Sequence, residues 1–131
     1  MFKHQKDHIR FFYLHPLAAM IAVEMFQYCH DKGQPFLITS TVSTLKEDQE
    51  INRRSSTHRS GRAFDLRTTH WDDNFLSEFM THFNRKYQYV YGAQSFEGQH
   101  KFLVYHVGTA PHLHVQIHRR FERNPKLPDD V

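Results

Sequence analysis

The amino-acid sequence predicts an α+β fold, in which an antiparallel sheet is flanked by helices. Apolar residues recur at helical spacing in two segments, and the pattern changes to a period of two in the second half. Gly and Pro are scarce, at 5 each, which argues against disordered and fibrous classes. The chain has 131 residues and no linker-like segment, so we expect one domain over residues 1–131.

Two helices are predicted. The first covers Pro16–Lys32, because proline suits the first helical position and Gly33 suits a left-handed stop. The second begins at a cap formed by Asp72 or Asp73 and runs to about Arg85. One face of the first helix carries Leu17, Met20 and Ile21. The apolar stripe of the second is assigned to the core and consists of Phe75, Leu76, Phe79, Met80 and Phe83.

Strands are predicted where residues are β-prone or alternate with a period of two: Phe36–Val42, Tyr87–Tyr91, Lys101–Val107 and His112–His118. Residues 92–98 and 108–111 connect the last three. Residues 43–56 are polar and charged, which is typical of a long loop or a short exposed helix. The tail from about residue 120 is expected to be loose, because it ends the chain and contains two prolines.

Charge and composition limit the function without naming it. The formal net charge is +3, which suits an anionic partner but does not require one. The single cysteine, Cys29, excludes an intrachain disulfide and is expected to be buried in the first helix. No apolar run is long enough to span a membrane, and no signal-peptide pattern is present. We therefore expect synthesis in a cytoplasm.

The segment 111–118 has one apolar and one histidine-rich face. Successive side chains of a strand point to opposite faces, and the polar face holds His112, His114, Gln116 and His118. The first two share that face, roughly 6–7 Å apart along the strand. One ring can therefore bind a metal ion with the other beside it. For this segment taken alone, a solvated polar strand face is the simpler interpretation.

The segment 56–65, STHRSGRAFD, offers a second set of ligands. His58 and Asp65 would lie about two turns apart on a helix, which is too far to share an ion. Two strands joined by a turn can bring them together, and Gly61 gives the backbone freedom that such a turn needs. Taken alone, the segment is equally consistent with a hairpin that carries incidental polar groups.

Together the two segments place His58, Asp65 and His114 around one ion. Three protein ligands with an open position for water are the pattern of catalytic zinc. Two nitrogens and one carboxylate suit zinc better than magnesium or calcium. The sequence therefore predicts one Zn²⁺ per chain, with His112 as a rival to His114 for the third ligand.

The first segment resembles the motif S-x-H-x-x-G-x-A-x-D of the D-alanyl-D-alanine carboxypeptidase and phage-endolysin group of zinc metallopeptidases, which have the hedgehog/DD-peptidase fold. Ser56, His58, Gly61, Ala63 and Asp65 fill its fixed positions. The His-x-His of the second segment resembles lysostaphin-type and murein endopeptidases. The resemblance covers about residues 37–117. It implies a phage-type lysin that hydrolyses amide bonds in peptidoglycan stem or cross-link peptides, acting on the bacterial cell wall after release.

The resemblance also implies residue roles. His58, Asp65 and His114 would be the zinc ligands. Candidates for supporting the ligands or binding substrate are Ser56, Arg59, Arg62 and Gln116. Pro111 stands where carboxypeptidase-like members carry an acid, so His112 is the predicted catalytic residue for proton transfer. Ser43 stands where the substrate-binding arginine is expected.

Two other functions compete with a peptidase. Without the acid, the same fold can serve as a catalytically impaired zinc- and peptide-binding module. Nucleic-acid binding is suggested by clustered arginines, but the net charge is low and no nucleic-acid motif is present; the cluster is Arg53, Arg54, Arg59, Arg62 and Arg67. His106 and His118 are further candidates near the site. Packing or capping is the simpler interpretation of His70 and Trp71.

Overall fold

The protein, described here by a computed structural model over residues 1–91, 93–94, 100–108 and 110–129, is built around a four-stranded antiparallel sheet. Its helices are α1 (Gln5–Arg10), α2 (Pro16–Asp31), α3 (Leu45–Glu50) and α4 (Asp73–Tyr91). Its strands are β1 (Ile38–Ser40), β2 (Ala63–Arg67), β3 (Ala93–Gln94), β4 (His100–Lys101), β5 (Leu103–His106) and β6 (His112–Gln116). The sheet order is β1-β2-β6-β5, and β3 pairs with β4. The predicted α+β class is confirmed.

The alternation along β2 and β6 divides the sheet into an apolar and a polar face. Phe64 pairs with Val115 and Leu66 with Leu113, and all four side chains are buried in the core. The intervening pair, Asp65 with His114, therefore points to the opposite face. The core is completed by buried residues of α2 and α4: Ala18, Ile21, Ala22, Met25, Cys29, Phe75, Phe79, Phe83 and Tyr87.

The predicted strand Tyr87–Tyr91 is wrong, because α4 continues through it to Tyr91. Tyr87 lies four residues after Phe83 and is buried with it, so the helical stripe extends one turn beyond the predicted end. The Tyr87 hydroxyl also donates to Glu24 on α2, which joins the two helices at this turn. The predicted connection 92–98 lies largely outside the described residues, as does position 109 of the connection 108–111.

The first predicted helix is confirmed, but its buried face is rotated from the predicted one. Met20 is 53% exposed, and the buried stripe runs through Ile21, Met25 and Cys29. Gly33 has φ +66°, the left-handed stop that the sequence predicted. Burial of Cys29 is confirmed, and it raises the pKa of the thiol to about 12, so this cysteine is a poor nucleophile.

Several elements differ in extent from their predictions. The strand predicted over 36–42 is reduced to β1, and the strand predicted over 112–118 ends at Gln116. The segment 43–56 contains α3, which begins with a capping box formed by Thr44 and Glu47. None of the helices in the described part of the chain is long and apolar enough to cross a membrane.

The first and last described segments of the chain both contact the body of the protein. Residues 1–3 run beside β1, where the Ile38 N–H donates to the Met1 carbonyl and the Lys3 N–H to the Ile38 carbonyl. The tail that was predicted to be loose bonds to the body through Arg123, whose backbone N–H donates to the Ser60 carbonyl at 2.9 Å. Leu127 packs against the core.

Candidate metal centre

The register of the sheet places Asp65 beside His114, and a tight turn brings His58 to them. Asp65 on β2 and His114 on β6 are direct cross-strand partners. His58 precedes β2 in a turn rather than on a strand, and this turn closes where the Gly61 N–H donates to the His58 carbonyl. Gly61 has φ +70°, the left-handed backbone that the sequence predicted for this position.

The three side chains form a compact group. Asp65 Oδ1 lies 3.2 Å from His58 Nε2 and 2.9 Å from His114 Nδ1. One ligand atom of each residue lies within 4.8 Å of the others, so the group could hold a metal ion. His58 and Asp65 are buried, and His114 is mostly buried.

The hydrogen bonds of His58 determine which of its nitrogens carries a proton. Nδ1 lies 2.7 Å from the Thr41 carbonyl oxygen, which can only accept, so Nδ1 carries the proton. In the neutral ring Nε2 then has a lone pair directed at the Asp65 carboxylate. This buried nitrogen has no hydrogen-bond partner among the described residues. Two electron-rich atoms 3.2 Å apart require a cation or a proton between them.

His114 is oriented in the same way by Gln116. The Gln116 amide nitrogen donates to the Lys101 carbonyl at 2.8 Å, so its oxygen faces His114 Nε2 at 3.0 Å. That oxygen accepts, so Nε2 carries the proton and Nδ1 presents its lone pair to Asp65. Donation of the second ring N–H to a protein acceptor is characteristic of metal-binding histidines. Both histidines therefore turn their free lone pairs toward one carboxylate.

Asp65 is ionised in this environment. Burial alone would raise the pKa of its carboxyl, but when protons rather than a cation lie between the three groups, the charge of His58 and the hydrogen bond from His114 outweigh burial. Together they hold the pKa well below its usual range. The group thus offers one carboxylate and two imidazole nitrogens.

The spacing of these atoms fits a small tetrahedral ion. Zinc bonds of about 2.0–2.1 Å to nitrogen and oxygen place tetrahedral ligand atoms roughly 3.3 Å apart. The separations from Asp65 Oδ1, 3.2 and 2.9 Å, are close to that edge. The unpartnered His58 Nε2 is the atom that such an ion would satisfy. The donors present therefore fit the predicted cofactor.

His112 lies beside the group at the wall of a cavity. It is on the same strand face as His114, and its Nδ1 lies 3.1 Å from the Ala110 carbonyl oxygen. A cavity of about 240 Å³ lies there, with walls that include Lys3, Thr39, Ser40, Asp65, Arg67 and His112. His112 and the candidate ligand Asp65 therefore line the same cavity.

His106 pairs with His112 across β5 and β6, and their rings stack at 4.7 Å. Burial, together with the charges of His112 and His114, lowers the pKa of His106. A mostly neutral His106 thus supports the His112 ring without adding a fixed charge. His118 instead caps a short turn, where it accepts from the Arg120 N–H.

Arg59 and Arg62 are bound within the protein. Arg59 donates to the buried Asp48 at 3.0 Å. Arg62 is buried and donates to the Ser60 hydroxyl and to the Ile117 carbonyl, at 3.0 and 3.1 Å. These contacts occupy guanidinium donors that a substrate-binding role would use.

One hydroxyl next to the candidate metal group belongs to Thr57. Its Oγ1 lies 3.4 Å from His114 Nε2. Ser56, the residue predicted to support the ligands, accepts from the Ser60 hydroxyl through its backbone carbonyl at 2.7 Å. Its side chain borders a groove of about 580 Å³ formed with the C-terminal tail. The position of Ser56 in the motif therefore does not by itself indicate which hydroxyl contacts the group.

Arg53 is the arginine that approaches the group. Its Nη1 donates to Asp48 at 3.0 Å, and its Nη2 lies 3.9 Å from Asp65 Oδ2. The sequence included Arg53 only as one of several loop arginines. Trp71 packs in the core and donates to the Pro35 carbonyl, and His70 is exposed.

No family model matches the sequence, and comparison with curated proteins and with solved structures gives no significant match either. The hedgehog/DD-peptidase fold and the family membership therefore stay predictions that rest on the resemblance of the two motifs.

Proposed function

We propose that this protein is a zinc-dependent peptidase that hydrolyses amide bonds in peptidoglycan stem or cross-link peptides, as a phage-type lysin does. The observation that carries the proposal is the convergence of two lone-pair nitrogens and one carboxylate on a single point beside a cavity. The position of these residues in the S-x-H-x-x-G-x-A-x-D motif supports the same function. Lys3 and Arg67 in the cavity wall suit a peptide that bears carboxylates.

The chain provides the groups that hydrolysis requires. His58, Asp65 and His114 would hold Zn²⁺, which would lower the pKa of a bound water and polarise the scissile carbonyl. The proton on His112 Nδ1 faces the Ala110 carbonyl, so its Nε2 is left to accept a proton and pass it to the leaving amine. This is the role that Pro111 cannot fill.

The decisive experiment is digestion of purified peptidoglycan followed by mass spectrometry of the released fragments. Wild-type protein should release peptides with new amino groups, and the masses identify the cleaved bond. His112→Ala should keep one zinc per chain and lose roughly 10²–10⁴-fold in rate. His30→Ala is the matched control, because this exposed histidine lies in the last turn of α2, distant in sequence from both motifs. Digestion by His112→Ala at the wild-type rate would contradict the assigned role.

The metal assignment has a separate test. Protein purified without added metal should contain about one zinc per chain by elemental analysis, and His58→Ala and His114→Ala should each lose it. Full zinc content in both variants would show that the ligands are wrong.

A zinc- and peptide-binding module without catalysis is the second candidate, favoured by the proline in place of an acid at position 111. It predicts full zinc content with no released fragments. The structure favours nucleic-acid binding less than the sequence does, because Arg53 and Arg59 both form ion pairs with Asp48 and Arg62 is buried.

A further inference from the structure

The chain leaves the sheet after Ser40, and side chains then bind the peptide groups that follow. Asp7 Oδ1 accepts from both the backbone N–H and the hydroxyl of Thr41, each at 2.8 Å. Arg10 Nη1 donates to the Val42 carbonyl at 3.1 Å. Asp7 and Arg10 are the two buried residues of α1. This short helix therefore fixes two successive residues of the loop.

The same loop holds a predicted metal ligand. The Thr41 carbonyl oxygen accepts from His58 Nδ1 at 2.7 Å, and all three residues of the chain Asp7–Thr41–His58 are buried. A shift of Thr41 would therefore move or free the carbonyl that selects the His58 tautomer. Asp7 is thus connected to His58 Nε2 through two hydrogen-bonded steps.

Asp7 occupies its place at an energetic cost. Its Oδ2 is buried and has no hydrogen-bond partner among the described residues. A buried polar atom without a partner destabilises the fold, and more so when it is charged. Proteins rarely leave a buried polar atom unpaired. Here the unpaired Oδ2 is explained by the position of Oδ1, which accepts two hydrogen bonds from Thr41.

The N-terminal arm, residues 1–10, is attached firmly enough to act as a support. Its first three residues bond to Ile38 at the edge of β1. At its other end Arg10 pairs with Glu47 of α3 at 2.7 Å. Asp7 lies between these two attachments, so its position is set from both sides.

We propose that Asp7 is a positioning residue for the metal site. It holds the backbone N–H and the hydroxyl of Thr41, so that the carbonyl of this residue keeps a proton of His58 on Nδ1 and directs Nε2 toward Asp65. Its effect on zinc rests on the proposed function, whereas its effect on the His58 ring does not.

The ring is tested in metal-free protein by NMR detection of the imidazole nitrogens at about pH 8, where an ordinary histidine is neutral. Wild type should show His58 protonated on Nδ1. Asp7→Ala should show mixed tautomers, and Asp7→Asn, which keeps the Oδ1 acceptor, should restore the wild-type signal. Loss of the Nδ1 proton in wild type, or an unchanged His58 ring signal in Asp7→Ala, would overturn the proposal.

Zinc affinity is then measured by competition with a chromogenic chelator. Asp7→Ala should bind zinc about 10–100-fold more weakly, as for other residues that orient metal ligands, and Asp7→Asn should stay within about threefold. Glu24→Ala is the matched control, because this carboxylate also joins two elements, through Lys86 and Tyr87, but belongs to the α2–α4 contact. Equal losses in Glu24→Ala and Asp7→Ala would indicate general destabilisation and overturn the role.

Two further outcomes are also decisive. If Asp7→Ala does not fold, Asp7→Asn decides, since a folded Asp7→Asn without the Nδ1 proton contradicts the role of Oδ1. If wild type binds no zinc, the proposed function fails, while the NMR comparison still decides whether Asp7 orients His58.

Discussion

Replacing Gln116 with leucine is expected to weaken zinc binding without removing a ligand. The amide oxygen of Gln116 accepts from His114 Nε2 at 3.0 Å and its nitrogen donates to the Lys101 carbonyl at 2.8 Å. Leucine has a similar size but neither group. The proton of His114 is then free to move to Nδ1, where it blocks the lone pair that the metal needs.

The magnitude follows from the position of Gln116 next to a ligand. Loss of such a partner costs about 10–100-fold in metal affinity, which corresponds to roughly 1.4–2.7 kcal/mol. Gln116→Glu keeps an acceptor facing His114 and should retain more zinc affinity than Gln116→Leu, although its carboxylate cannot donate to Lys101. The two variants thus separate the effect on the His114 tautomer from the loss of the Lys101 bond.

Competition titration against a chromogenic chelator measures the effect, with thermal unfolding of the metal-free proteins recorded in parallel. Gln27→Leu is the matched control, because it removes a glutamine hydrogen bond, to Asp31 at 2.8 Å, within α2 and away from the candidate metal group. It should leave zinc affinity unchanged. Zinc affinity of Gln116→Leu within twofold of wild type would refute the reasoning.

Three further predictions concern the fold and its dependence on solution conditions. Gly61→Ala should lower Tm more than Gly33→Ala. Both glycines have a positive φ, which alone costs an alanine about 1–2 kcal/mol. Of the two, only Gly61 would also place a Cβ close to a backbone oxygen, 3.1 Å from that of Tyr13. Burial would raise the pKa of the Glu47 carboxyl, but hydrogen bonds from Arg10, Thr44 and Lys6 lower it to about 2. Wild type should therefore be more stable than Glu47→Gln above pH 4.5, and acid unfolding curves should show this difference vanishing by about pH 2. Wild-type protein with zinc at 100 times its Kd should be about 2.7 kcal/mol more stable than after chelation; calorimetry showing equal Tm values would contradict specific binding.

Local patterns predicted the elements that have strong periodicity. The α2 boundaries follow from Pro16 and Gly33, and the alternation along β6 correctly separated Leu113 and Val115 from His112 and His114. The end of α4 was missed because Tyr87–Tyr91 is aromatic and β-branched, which favours a strand locally. Burial of the Tyr87 ring against the core and its bond to Glu24 outweigh that preference.

The residues that orient the ligands could not be predicted, because they act through contacts distant in sequence. Thr41 contributes a backbone carbonyl, which any residue type would supply. Asp7 acts on Thr41 from 34 residues away. Gln116 was a candidate from its strand face, yet only the Lys101 carbonyl determines which end of its amide meets His114. A motif therefore points to candidate ligands more readily than to the groups that orient them.

The arrangement of protons explains why the group is better suited to a cation than to a structural ion pair. Thr41 and Gln116 take the outward protons of the two histidines, so both inward nitrogens face Asp65 as lone pairs when the rings are neutral. Without a metal ion, an inward proton is needed to relieve the repulsion, and it would occupy the position of the ion. A bound zinc ion and this proton would therefore compete for the same space. The lone pairs converge because the outward acceptors are fixed, so the preference for a cation is determined by residues that would never touch it.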